Sequence, residues 1–356
     1  MTTTKTKRLD SYLVTPSNEI ADMIQEANGS VLVSQLNNTE LKRWVEYKRN
    51  NPKNNCKLLV DSGAYTTWTK GKLVDVELYI KKMNDMDDVI DYFIQVDKIP
   101  GRRGKKTTKQ QLLEAQEETW NNFLHMEKVV KSPNKLLPVY HQKDHIDLLV
   151  KMLNHKRPDG TLIDYICLSR LQGLDNNKYV PIWFKKMHKV ILQHNPTIKI
   201  HALGVGSIPL IFDNEWFTSV DSTTYVRSAG YGDIITPYGT ISASPRKKFT
   251  KKGNLSKSHI SYADNPKSRI VSDFVRELQK LKVKAHEYYD PLLEKIDVPT
   301  LSCIQEDKSQ KRTLFNAIVM HLLEHKHPLL EKHLKNPRAF SKNSIENIIG
   351  RKGGKK

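Results

Sequence analysis

Short apolar runs of strand length alternate with longer stretches of helical period along the first two thirds of this chain, and that rhythm limits the fold more than any other feature. Val31–Gln35, Lys57–Asp61, Tyr92–Asp97 and Leu136–Tyr140 read as buried parallel strands, as do Asp164–Leu168, Lys199–Leu203 and Phe217–Asp221. Asp233–Thr236 is a weaker eighth. Between them, Val76–Met83, Gln110–Val130, His145–Leu153 and Ile182–Gln193 carry apolar stripes spaced for helices. Eight strands with helical crossovers in about 240 residues is the arithmetic of a (β/α)8 TIM barrel, an α/β fold. An open doubly wound sheet is the alternative, because periodicity does not show closure. The expected organisation is a barrel over 1–240, a basic loop or insertion over 241–265, C-terminal helices packing on the barrel over 266–350, and a basic tail over 351–356. Helices are expected at about Ser268–Tyr289, Lys311–Glu324 and Asn343–Ile349.

The chain of 356 residues carries 58 Lys and Arg against 39 Asp and Glu, a formal charge of +19. That excess favours a polyanionic partner, through phosphate neutralisation and counterion release. The segment from Ile234 to Ala263 has no acidic residue but holds Arg246, Lys247, Lys248, Lys251, Lys252 and Lys257. It reads as a phosphate-contacting loop, or alternatively as a solvated tether. Arg102, Arg103, Lys105 and Lys106 form a second basic cluster, with a solvated face as its alternative. No run is long and apolar enough for a membrane span, and the N-terminus has no apolar signal core, so a cytoplasmic, non-membrane protein is expected. Cys56, Cys167 and Cys303 are far apart and odd in number, which suits a reducing compartment without a disulfide framework.

In a TIM barrel the reactive groups stand at the carboxyl ends of the strands. Three predicted strands end in aspartate: Asp61, Asp97 and Asp221. A carboxylate just past an apolar run is either partnered or at a functional rim, because burying it alone is costly. Any one of them is equally readable as a helix N-cap. Three together favour a shared acidic pocket. Ser62 and Gly63 after Asp61, and Gly204 and Gly206 after Leu203, allow tight turns and close approach of a ligand to the backbone, or are simply turn glycines.

Four ordered pieces carry a resemblance. LVDSGAY (59–65) resembles the DSGG(F/Y) motif of the tRNA-guanine transglycosylases, and FIQVDKIP (93–100) is similar to their FDEC segment in its aspartate but not its cysteine. HALGVGSIPLI (201–211) followed by VDSTTYVR (220–227) resembles their MGVG segment followed by FDCVLPTR. The resemblance implies a nucleophile at Asp221 that attacks the anomeric carbon of a nucleotide and expels guanine. It implies a general acid/base at Asp61 and a base-reading acceptor at Asp97, with retention through two displacements. Base contacts would also come from Ser62, Gly63, Gly204, Gly206 and Gln142, the last slightly offset from the family's glutamine and alternatively a plain loop residue after His141. Tyr65 and Tyr225 are candidates for stacking on a base or for core packing, and Arg227 for phosphate contact.

Two departures shape that expectation. The family's tRNA enzymes place a CxCxxC…H zinc site after the nucleophile, whereas only Cys303 follows Asp221 here, so structural zinc is disfavoured and no cofactor is expected. DSGAY also stands in place of DSGGF or DSGGY. Both features, and the lysine-rich C-terminal part, are similar to the phage and bacterial DNA transglycosylases, which insert 7-deazaguanine bases such as preQ0 into DNA as protection from restriction. That likeness implies a DNA substrate with access to a flipped or single-stranded guanine, a location in the host cytoplasm if phage-encoded, and a homodimer as one option. The alternatives are a tRNA exchanger, a non-catalytic barrel that binds nucleic acid, and an unrelated nucleosidase of the same fold.

Overall fold

A computed structural model of the chain describes residues 9–14, 18–102, 105–170, 179–243, 268–283, 297–306, 309–324 and 327–335. They fall into two compact units, one formed by Asp10–Gly206 with Asn214–Thr223, the other by Met1–Leu9, Ser207–Asp213 and Thr224–Lys356.

The first unit is a (β/α)8-like barrel. Its strands are β1 (Asp10–Val14), β2 (Ser30–Ser34), β3 (Lys57–Asp61), β4 (Tyr92–Ile94), β5 (Leu136–Leu137), β6 (Val139–His141), β7 (Tyr165–Ser169), β8 (Lys199–Leu203) and β9 (Ser219–Ser222). They form one parallel sheet in the order β5-β4-β3-β2-β1-β9-β8-β7-β6. The two ends of that order are one stretch of chain, interrupted only by Pro138, which has no N–H to give to a ladder. Gln95 N donates to Leu137 O at 3.0 Å, and Cys167 N donates to Pro138 O at 2.8 Å. The run from Leu136 to His141 therefore joins β4 on one side to β7 on the other and closes the ring. Closure leaves no exposed sheet edge.

The expected eighth strand is corrected. The segment Asp233–Thr236 (β10) pairs only with Gly239–Ser242 (β11), antiparallel, and lies in the second unit. The missing barrel strand is β1, which pairs with both β2 and β9. Two apolar runs around a Pro-Tyr turn, with Gly239 at φ +99, make a hairpin, a pairing that a short apolar run does not distinguish from a parallel strand.

Alternation along the strands sorts the side chains. Tyr12, Leu32, Leu59, Ile94, Leu137, Val139, Tyr165 and Cys167 form one buried cluster, the barrel interior. Residues two positions further along point the same way, so Asp61 follows Leu59, and His141 follows Val139, into the lumen. His201 and Asp221 face it too: the ring of Tyr12 meets His201 edge-on at 5.8 Å, and His201 in turn reaches Asp221. At the amino ends of the strands, Lys57 Nζ and Asp10 Oδ2 pair at 2.6 Å. Around the sheet run α1 (Asn18–Glu26), α2 (Asn38–Asn50), α3 (Ala64–Thr69), α4 (Val76–Asp85), α5 (Lys109–Val129), α6 (Ile146–Leu153) and α7 (Val180–His194).

The second unit holds α8 (Ile208–Phe212), α9 (Thr224–Gly230), the β10–β11 hairpin, α10 (Ser268–Val283), α11 (Leu301–Gln305), α12 (Ser309–Glu324) and α13 (Pro328–Leu334). From Leu314 to Glu324 every residue of α12 is buried, the mark of a helix surrounded on all faces. Asn316 ties it in: its Oδ1 accepts from Ile235 N at 2.7 Å and its Nδ2 donates to Tyr225 O at 2.9 Å. The expected helix at Asn343–Ile349 and the basic loop around 244–257 lie outside the described residues. Among the described residues no helix is long and apolar enough to cross a membrane.

Candidate active site

The three aspartates chosen from the sequence all stand at the carboxyl end of the barrel. Asp61 is the last residue of β3, Asp97 lies three residues past β4, and Asp221 is the penultimate residue of β9. Neither Asp61 nor Asp97 caps the helix that follows it; the N-caps of those helices are Gly63 and Thr108. Asp61 Oδ2 accepts from Gly63 N at 2.9 Å, a tight turn before α3, whose N-cap is Gly63. Gly63 has φ +76, and a Cβ there would sit 2.6 Å from the Leu36 side chain. Only glycine fits.

The loop that carries Asp97 is pinned from α5. Asn122 Nδ2 donates to Val96 O at 3.1 Å, Lys98 N donates to Thr119 Oγ1 at 2.9 Å, and Gln95 Nε2 donates to Thr119 O at 2.9 Å. Beneath the rim the buried Tyr79 hydroxyl donates to Ile94 O at 2.9 Å and lies 3.3 Å from Val60 O, tying the ends of β3 and β4 together. A cleft lined by Ala64, Trp68, Val96, Ile99, Asn122 and Asp97 itself opens beside this loop.

Each carboxylate has a different environment. Burial raises the pKa of Asp61, repulsion from Asp97 and from Asp221 raises it further, and the Gly63 N–H and the Ser34 hydroxyl offset part of this, leaving it at about 7. Asp97 Oδ2 lies 2.8 Å from His141 Nε2. Burial alone would depress the His141 pKa, but hydrogen bonds to Asp144 and Asp97 outweigh it and raise the imidazole to about 10. His141 is thus a buried cation between two carboxylates, and Asp144 Oδ2 also accepts from the His141 backbone N–H at 2.8 Å. Asp221 Oδ1 accepts from Gly204 N at 2.8 Å and lies 3.2 Å from His201 Nε2. Gly204 reaches that position with φ +66.

The site thus combines an aspartate hydrogen-bonded to Gly204 and His201, a carboxyl group that exchanges its proton near neutrality, and an aspartate hydrogen-bonded to the buried His141. That division suits nucleophilic attack with general acid/base assistance.

Other sequence candidates fall as follows. Ser62 is buried, with its hydroxyl 3.4 Å from Ala64 N. Gln142 sits next to His141, its N–H donating to Ser169 O at 2.9 Å, and its buried Oε1 has no hydrogen-bond partner among the described residues. Gly206 is buried. Tyr65 is exposed and tilted against Trp68 at 5.8 Å, whereas Tyr225 is fully buried in the core of the second unit and is not a stacking surface. Arg102, Lys105 and Lys106 are exposed after β4, and Arg227 is exposed on α9. Arg103, Arg246, Lys247, Lys248, Lys251 and Lys252 lie outside the described residues. Among the described residues no group of three or more His, Cys, Asp or Glu is placed to hold a metal ion.

Sequence reasoning passed over His201, Ser219, Tyr165 and Asp144. A histidine between apolar neighbours in the KIHAL run, at a lumen-facing position of a barrel strand, was the signal for His201. The chain matches no protein-family model and no curated protein.

Proposed function

We propose that this protein exchanges guanine in DNA for a 7-deazaguanine base through a covalent bond between Asp221 and the sugar. The observation that carries the reading is the convergence of Asp61, Asp97 and Asp221 at the carboxyl end of one barrel, where burial and the two neighbouring carboxyl groups hold Asp61 at a pKa of about 7. In the first half-reaction an oxygen of Asp221 bonds to the anomeric carbon as the glycosidic C–N bond breaks, and the electron pair leaves with the base. The protonated form of Asp61 gives its proton to that base. In the second half Asp61 takes a proton from the incoming base, whose nitrogen attacks the anomeric carbon and releases the Asp221 carboxylate. Two inversions at one carbon retain its configuration.

Asp97 accepts N–H groups of the guanine-like edge, with His141 hydrogen-bonded to its Oδ2. Gln142 Oε1, buried and without a partner among the described residues, is a further acceptor at the same rim. The charge of +19 and the exposed Arg102, Lys105 and Lys106 favour a phosphate backbone as partner. The four motif pieces supply the choice of guanine, and the departures from the tRNA enzymes, with the lysine-rich C-terminal part, supply the choice of DNA.

The test is base exchange with labelled 7-deazaguanine, followed by mass spectrometry of nucleosides from DNA and from tRNA. Label in DNA is expected. Label in tRNA alone overturns the DNA assignment, and guanine release without incorporation turns the protein into a hydrolase.

A further inference from the structure

Behind Asp221 runs a line of buried polar groups that crosses three adjacent strands. The His201 imidazole on β8 is fully buried. Its Nε2 faces Asp221 Oδ1 at 3.2 Å, and its Nδ1 is hydrogen-bonded to Ser219 Oγ, on the neighbouring strand and two residues before Asp221. Ser219 Oγ is hydrogen-bonded in turn to the Tyr165 hydroxyl on β7. The Tyr12 ring packs on the imidazole in a T-shaped pair, with centroids 5.8 Å apart.

The direction of this line follows from counting donors. Asp221 Oδ1 already accepts the Gly204 N–H, so it is an acceptor, and the ring nitrogen facing it must carry the hydrogen. A neutral ring with its hydrogen on Nε2 has a lone pair on Nδ1, so the Ser219 O–H donates to it. The Ser219 oxygen then accepts from the Tyr165 O–H. Burial pushes the Tyr165 phenol well above its usual range, which keeps that proton in place. Every donor is used once and no charge is added.

We propose that His201 is a positioning residue for Asp221, fixed as the Nε2–H tautomer by the Ser219 and Tyr165 hydroxyls, so that Oδ1 is held while Oδ2 is left free to bond. This rests on the reading of Asp221 as the nucleophile. A rotating carboxylate presents its attacking oxygen to the anomeric carbon only part of the time, whereas one oxygen anchored by two donors fixes the direction of the other.

Long-range 1H–15N NMR on protein labelled at histidine nitrogen reads the tautomer directly, with the His201 signal assigned by its loss in His201→Gln. The expected spectrum shows Nε2–H, and Ser219→Ala weakens that preference. A ring protonated on Nδ1, or on both nitrogens at neutral pH, overturns the proposal whatever the reaction turns out to be. In base-exchange assays, His201→Leu is expected to lower kcat about 10- to 100-fold with little change in KM, the effect of losing a hydrogen bond to a charged group. His201→Gln, which keeps an N–H donor, is expected to recover most of the loss. Exchange at wild-type rate in His201→Leu refutes the positioning role while leaving the function standing. Absence of exchange in the wild-type protein refutes the function, and the spectrum still decides the tautomer.

Discussion

His141 Nε2 lies 2.8 Å from Asp97 Oδ2, so the carboxylate beyond β4 is tied to the last residue of β6 across the closure of the barrel. With Asp144 on its other nitrogen the imidazole has a pKa raised from 6.5 to about 10. A group whose folded pKa is raised contributes stability that is complete below its unfolded pKa and is lost as pH rises through the folded value. Unfolding free energy is therefore expected to decline from about pH 6.5 to about pH 10 by an amount on the order of a few kcal/mol. Denaturant titrations across that range check it. The decline from this source disappears in His141→Gln, and an equal slope in that variant assigns it elsewhere.

Asp61 works in the same direction over a lower window. Its folded pKa is raised from 3.8 to about 7, so folding favours the protonated form, and stability falls as pH rises between those values. Asp61→Asn keeps an oxygen for the Gly63 N–H and removes the charge. It is expected to be inactive in base exchange and, above pH 7, more stable than wild type by about 1–3 kcal/mol, the behaviour of a residue held at a cost for function. Chemical denaturation at two pH values measures it, and a variant less stable than wild type at both contradicts the electrostatic account.

The same proton sets the pH dependence of turnover. In the proposed reaction the acid form of Asp61 expels guanine, so the rate of that half-reaction with limiting DNA is expected to fall as pH rises through about 7. Guanine release in a single turnover, without incoming base, isolates that step. A rate that climbs through neutrality assigns the proton to another group.

Much of this site is legible in the sequence, and the gaps have physical reasons. Asp61, Asp97 and Asp221 stand out because each acidic residue follows an apolar run, and a strand end is the one place where that order is affordable. Strand β1 escapes because Asp10–Val14 is short, follows a lysine-rich start and carries a charged residue at its head. That charge is tolerable only because Lys57, on another strand, pairs with it. Asp233–Thr236 misleads for the opposite reason, since its own apolar run does not reveal that its partner is the next segment, Gly239–Ser242, in a hairpin. His141 and His201 stay hidden because a lone histidine has no meaning until the barrel brings a carboxylate to it from elsewhere in the chain, Asp97 in one case and Asp221 in the other.

Gly63 is a restrictive backbone position of the site. Its φ of +76 and the 2.6 Å approach of Leu36 make Gly63→Ala strained in two ways. A loss of about 1–3 kcal/mol is expected, read from thermal or denaturant unfolding. Adding Leu36→Ala relieves the clash but not the dihedral, so the double variant is expected to recover only part. Full recovery shows that the left-handed turn before α3 is not required.

Contact with nucleic acid is expected to weaken steeply with salt, in proportion to the number of phosphates neutralised. Arg102→Ala is expected to lower the slope of log Kd against log salt by about 1, equally for all sequences. Fluorescence anisotropy with single-stranded oligonucleotides measures it, and an unchanged slope removes the exposed segment after β4 from the interface.

The covalent bond at Asp221 is the claim on which the rest depends. Intact-mass and peptide-mapping spectrometry after rapid acid quench of protein with guanine-containing DNA reads it directly. The account predicts a nucleic-acid adduct on the peptide holding Asp221, absent in Asp221→Asn and discharged by a 7-deazaguanine base. Base exchange proceeding with no adduct, or with the adduct on Asp61, contradicts it.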